Sequence, residues 1–71
     1  VVYSTRDFSQ AERYYFDSLA IQKQLDDIEA QAEIYCNLGS LYIGQKQWIK
    51  AQINIEKSIT LLNSINAPDW R

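Results

Sequence analysis

An all-α fold is predicted from three observations. Apolar residues recur at three- and four-residue spacing over three long stretches of the chain. Helix breakers are scarce, with two glycines and one proline in 71 residues. Short polar turns separate the stretches, and neither "LYI" (41–43) nor "WIKAQINI" (48–55) sustains the alternation of a strand.

The elements follow in order. Residues 1–5 read as the last turn of an earlier helix, with Thr5-Arg6-Asp7 as the turn after it. A first full helix is expected over 9–24, with Ala11, Tyr15, Leu19 and Ile21 recurring along it and Tyr14 and Ser18 beside them. Asp26 or Asp27 supplies an N-cap, since a short carboxylate side chain accepts from the free N–H groups of a first turn. A second helix is expected over 28–43, burying Ile28, Ala32, Tyr35, Leu38, Gly39 and Tyr42. Gly44 is expected at its end, in a left-handed conformation that costs glycine little. After "GQKQ" a third helix runs over 48–62, with Trp48, Ala51, Ile55, Ser58, Ile59 and Leu62 as its inward face. "NSINAP" (63–68) ends it with turn-forming residues.

Composition narrows the function. A chain of 71 residues has room for one domain. Its single cysteine, Cys36, forms no internal disulfide, and with no histidine it offers neither a structural zinc site nor a Cys/His nucleophile pair. The net charge is -2 and the seven Lys and Arg are scattered, which argues against the basic stripe of a nucleic-acid binder. No apolar run reaches membrane-spanning length, and the expected location is the cytoplasm. The chain opens on Val1 and is expected to be a piece of a longer protein.

A shift of 40 residues superposes the first and third helices. Phe8 falls on Trp48, Ala11 on Ala51, Ser18 on Ser58, Leu19 on Ile59 and Leu25 on Ile65. An aromatic, a small residue three later and a bulky one four later is a packing recipe: the small residue lets helices approach, and the large ones fill the groove beside it. A hairpin repeated in this way buries its faces by stacking on neighbours.

From "YCNLGSLY" into "AQINI", the chain resembles a tetratricopeptide repeat. Tyr35, Leu38, Gly39, Tyr42, Ala51 and Ile55 stand at that family's spacings, over a 34-residue repeat from Ala32 to Ile65. Ile55 replaces the usual aromatic, Ser58 a common alanine and Asn63 the common proline. Phe8, Ala11, Tyr15 and Ser18 resemble the second helix of a preceding repeat. The resemblance implies antiparallel helical hairpins in a right-handed superhelix, with residues 1–71 as one segment of a longer array. It also implies that the first helix of each hairpin lines a concave face. On 28–43 that face comprises Glu33, Cys36, Asn37, Ser40 and Ile43, which also lie off the apolar stripe. Asn37 matches an asparagine that binds ligand carboxylates in related repeats, but Cys36 and Ser40 stand where that clamp has Lys and Asn. A hydrogen bond between helices is the structural alternative for Asn37.

No residue set points to chemistry, and the chain is not expected to be an enzyme, to hold a metal or to bind a cofactor. Cys36 is mid-helix with Glu33 one turn back, a setting that does not activate a thiol. Asp26, Asp27 and Glu29 cluster at a turn, where capping explains them. Tyr14, Tyr15 and Phe16 are consecutive, so no single helical stripe hides all three, and an apolar patch results. The expected function is therefore a protein–protein interaction module that offers a concave groove to a peptide or protein. Self-association through exposed repeat ends is a further expectation. The alternatives are a sensory or oligomerisation segment of a bacterial transcription regulator of this repeat type, or an accessory helical domain of a larger enzyme. Each needs a neighbouring domain.

Overall fold

The computed structural model describes residues 5–65. It is all-α: α1 spans Thr5–Gln24, α2 Ile28–Gly44 and α3 Trp48–Ile65. The helices pack antiparallel with α2 in the middle. α1 and α3 each lie on α2, and their backbones make no close approach to one another.

α1 begins four residues earlier than the sequence suggests. Thr5-Arg6-Asp7 is its first turn and not a loop. The segment holds no glycine or proline, and Asp7 places a negative charge near the partly positive helix start. The helix end expected over 1–5 lies outside the described residues apart from Thr5, which opens α1. The proline and Trp70 likewise lie outside them.

Both connections use one device. Asp26 N–H donates to Lys23 O at 3.2 Å and Asp27 N–H to Gln22 O at 3.0 Å. Twenty residues on, Lys46 N–H donates to Ile43 O at 2.9 Å and Gln47 N–H to Tyr42 O at 2.9 Å. This crossed pair of bonds is the Schellman closure, which satisfies the orphan carbonyls of a helix end. Its left-handed residues are Asp26 (φ 54°) and Lys46 (φ 59°). The glycine expected in that role, Gly44, is instead the last residue of α2, and Gln45 caps it. Asp27 then starts α2, its Oδ1 accepting from Ala30 N–H at 3.0 Å.

The core is a seam along α2. Leu19, Ile34, Tyr35, Leu38, Tyr42 and Ala51 form one buried cluster, with Phe8, Tyr15 and Leu61 packed on it. Leu38, with 0% of its surface exposed, is the centre. α2 and α3 cross at Gly39, where a Cβ atom would lie 2.5 Å from Ile55 Cγ1 and 3.4 Å from Ala51 O. The missing side chain sets how closely the two helices approach. Ala51 faces it from α3, and the small Ser58 is buried two turns farther along that helix.

Two expected faces need correction. On α3, Trp48, Ile59 and Leu62 are exposed and Ile55 is half-buried, so the inward side is centred on Ala51 and Ser58, with Leu61 half-buried beside them. On α1, Ile21 is exposed and Leu19 alone is fully buried, while Tyr14 and Phe16 are exposed as their place off the stripe suggests. The cause is the same for both helices. Each outer helix makes its close backbone contacts with α2 alone among the described residues, so only one side of it is covered. α2 has two neighbours, and Gln31, Ile34 and Leu41 join the expected buried set there. No helix among the described residues is long and apolar enough to cross a membrane.

Candidate functional site

α2 is the most buried helix, and what it leaves open is a single strip. Glu33, Cys36, Asn37, Ser40 and Ile43 are all exposed. Their spacing of three, one, three and three residues keeps them on one side of a helix with 3.6 residues per turn. Glu29, one turn before Glu33, extends the strip and is also exposed. The strip is acidic at Glu29 and Glu33, neutral and polar through Asn37 and Ser40, and apolar at Ile43.

Shallow grooves run along both flanks. The groove between α2 and α3 has a volume of about 390 Å³ and is lined by Glu33, Cys36, Ser58 and Leu62 among others. The groove between α1 and α2, about 250 Å³, is lined by Tyr14, Tyr15, Glu33 and Asn37 among others. Glu33 therefore stands on the ridge between two grooves and borders both. Cys36 opens onto one and Asn37 onto the other, while Ser40 and Ile43 border neither. Asn37 makes no side-chain hydrogen bond to another helix among the described residues, so the structural alternative for it is not realised. Cys36 is a free, exposed thiol.

The carboxylates near the turn are occupied with backbone work. Asp27 caps α2 and Asp26 is the left-handed residue of the turn. Arg13 and Asp17 form the i,i+4 pair that the sequence suggests, at 3.9 Å. Both side chains stand mostly in solvent, so the pair contributes little to stability. Among the described residues no three His, Cys, Asp or Glu side chains gather where they could hold a metal ion.

Two features escaped the sequence reading. The first is a polar contact under the core: Tyr42 Oη donates to Glu12 Oε2 at 2.5 Å. Phe8 meets the same ring edge-on at 5.9 Å, and Lys50 Nζ lies 5.6 Å from its centroid. The signal was available, because Glu12 falls within the Phe8, Tyr15, Leu19 stripe of α1, where a lone carboxylate needs a donor. The second is a groove of about 510 Å³ on the opposite side of α2, floored by Gln31 and Tyr35 and walled by Lys23, Ile53, Lys57 and Leu61. It is built from three helices at once, and no periodicity within one helix reports it.

Burial, the Glu12 hydrogen bond and the Glu12 charge together push the Tyr42 phenol from its ordinary 10.0 up to about 12. The folded chain thus holds this proton more tightly than the unfolded chain does. The stability this contributes is complete below pH 10 and is lost as pH rises from 10 to about 12. Tyr42→Phe is expected to flatten the fall in urea midpoint across that window. An equally steep fall in the variant would show that the phenol is not the group responsible.

No protein-family model matches the chain, no curated protein matches it, and no solved structure matches it.

Proposed function

We propose that the chain is a protein-interaction segment of tetratricopeptide type, part of a right-handed helical array, and that the open strip of α2 receives a peptide or protein partner. The observation that carries this reading is the contrast within α2. The helix with the most buried residues leaves one continuous strip uncovered, and grooves flank its Glu33–Asn37 part on both sides. Glu33 is the central contact, because it borders both grooves. Asn37 and Cys36 are the walls of one groove each, Ser40 continues the polar surface, and Ile43 offers an apolar anchor. The acidic end formed by Glu29 and Glu33 selects a partner with basic or N–H donor groups there. The strip is preformed on a helix held by the core, so a partner binds without ordering the site first.

Glu33→Lys tests the assignment. Its side chain is exposed, so the variant is expected to melt within about 0.5 kcal/mol of the parent. Partners captured by the parent chain are expected to be lost selectively from the variant, by mass spectrometry of both eluates. Equal capture by both forms would remove Glu33 and the strip from the binding surface.

A further inference from the structure

The groove of about 510 Å³ on the far side of α2 from the open strip joins an apolar floor to cations that nothing near them neutralises. Tyr35 belongs to the core, Leu61 packs on it, and Ile53 extends the apolar wall. Ile53, Lys57 and Leu61 follow at four-residue spacing on α3, so the groove runs about 12 Å along that helix. Lys57 Nζ lies 5.5 Å from the centroid of the Tyr35 ring, which holds its charge over the floor. Lys23 stands on the α1 side. Among the described residues neither lysine forms an ion pair. Tyr35 is 9% exposed, and among the described residues its phenol makes no hydrogen bond. So deeply buried a hydroxyl calls for an acceptor. Two other polar groups of the groove are already engaged: Gln31 Nε2 donates to Gln22 O at 3.2 Å, and Thr60 Oγ1 donates to Glu56 O at 2.9 Å.

We propose that this groove binds a free fatty-acid anion, its carboxylate at Lys57 and the Tyr35 phenol and its alkyl tail along Ile53, Tyr35 and Leu61. Three features select that class. The open polar groups, two ammonium ions and a phenol, are all donors, and a carboxylate accepts from each of them. Glu56 lines the same groove, so two lysines and one glutamate leave a single net positive charge, which suits one anionic group and repels a polyanion. A peptide would bring an N–H and a C=O at every residue, and the groove holds too few open partners for them. An alkyl carboxylate keeps its polar atoms at one end and leaves the tail to the apolar floor. The volume lies within the range of small-molecule sites. The proposal shares no residue with the open α2 strip, so either stands if the other fails.

The probe is decanoate, titrated into the full chain below its micelle concentration while backbone amide shifts are followed by heteronuclear NMR. Saturable shifts centred on Gln31, Tyr35, Lys57 and Leu61 are the expected result. Decylammonium, the same tail with the opposite charge, is expected to bind at least about tenfold more weakly. Lys57→Gln is expected to weaken decanoate at least about tenfold, and Lys57→Arg to keep most of the affinity. Tyr35→Phe keeps the floor, removes the hydroxyl and is expected to weaken it about fivefold. Glu56→Gln is expected to tighten it. Lys50→Gln is the control, because Lys50 Nζ lies 5.6 Å from the centroid of the Tyr42 ring in the same arrangement but away from the groove. Its loss is expected to leave affinity within about twofold. Circular dichroism checks that each variant folds. Equal binding of decanoate and decylammonium overturns the proposal, as do equal losses in Lys57→Gln and Lys50→Gln. Shifts centred on Trp48 and Ile59 would place the tail on the outer face of α3 and overturn it, and so would no saturable shift below the micelle concentration. A capped Leu-Glu-Leu peptide that displaces decanoate at equal concentration would assign the groove to a protein partner instead. Dimers of the chain that Ile53→Glu dissociates would assign it to a second copy.

Discussion

Gly39→Leu is expected to lower the thermal unfolding midpoint of the chain markedly. A Cβ at this position already meets Ile55 Cγ1 at 2.5 Å, and Cδ1 of the same residue at 3.1 Å. Those atoms belong to a side chain wedged between two helices, and Cγ1 is too near its own backbone to swing far. Leucine adds three further carbons beyond the Cβ, aimed at Ile55 and at the Ala51 carbonyl. The helices must then separate along the contact that joins α2 to α3. Overpacking of this kind costs about 1–3 kcal/mol and at times more. Replacing a helical glycine returns only about 1 kcal/mol in propensity. A chain of this length commands roughly 3–5 kcal/mol in all, so even a net loss of about 1–2 kcal/mol is a large share of it. Gly39→Ala separates the two effects. Its propensity gain opposes a smaller clash, and its melt is expected close to that of the parent. A Gly39→Leu melt, followed by circular dichroism, that superposes on the parent would show that the helices do not cross there.

Leu38→Ala is expected to lower the melting temperature by more than about 10 °C. Leu38 has no exposed surface and belongs to the buried cluster that also takes in Leu19 of α1 and Ala51 of α3. Truncation removes its apolar burial and leaves a cavity, at a cost of about 2–5 kcal/mol. Each kcal/mol shifts the midpoint of so small a domain by roughly 4–8 °C. Ser40→Ala, two residues away on the open strip, is the control and is expected to shift it little, by about 0.5 kcal/mol or less. The pair turns the assignment of α2's two sides into a comparison within one helix. A midpoint for Leu38→Ala within 3 °C of the parent, as an approximate threshold, would mean that the core lies elsewhere.

The two variants probe different origins of stability. Gly39 acts through the distance between helices, and Leu38 through the space that distance leaves to be filled. They lie on neighbouring positions of one helix beside the same core, so their effects are not expected to add.

Much of this molecule was legible before any coordinates. The three helices, the two turns between them and an aspartate N-cap at position 26 or 27 follow from local chemistry, because apolar spacing and the carboxylate next to a helix start act within a few residues of themselves; the structure gives that cap to Asp27. The open strip on α2 was legible for the same reason: Glu33, Cys36, Asn37, Ser40 and Ile43 are off the apolar stripe by periodicity alone. What each outer helix buries was not legible. Trp48, Ile59 and Leu62 are as apolar as Leu38, and periodicity marks them as a face without saying whether anything covers it. Coverage depends on how many helices are present and at what angle they meet. The left-handed residues also went to Asp26 and Lys46 in place of Gly44. The closing hydrogen bonds choose position by the length of the turn, and a glycine two residues too early is simply absorbed into the helix. The Tyr42–Glu12 bond joins residues 30 apart in sequence. Its existence requires α1 and α2 to lie side by side in one register. By itself, then, the sequence determined which segments become helices and which side of each is apolar. Only the tertiary structure decided which apolar sides are buried, because burial is a property of pairs of helices and periodicity is a property of one.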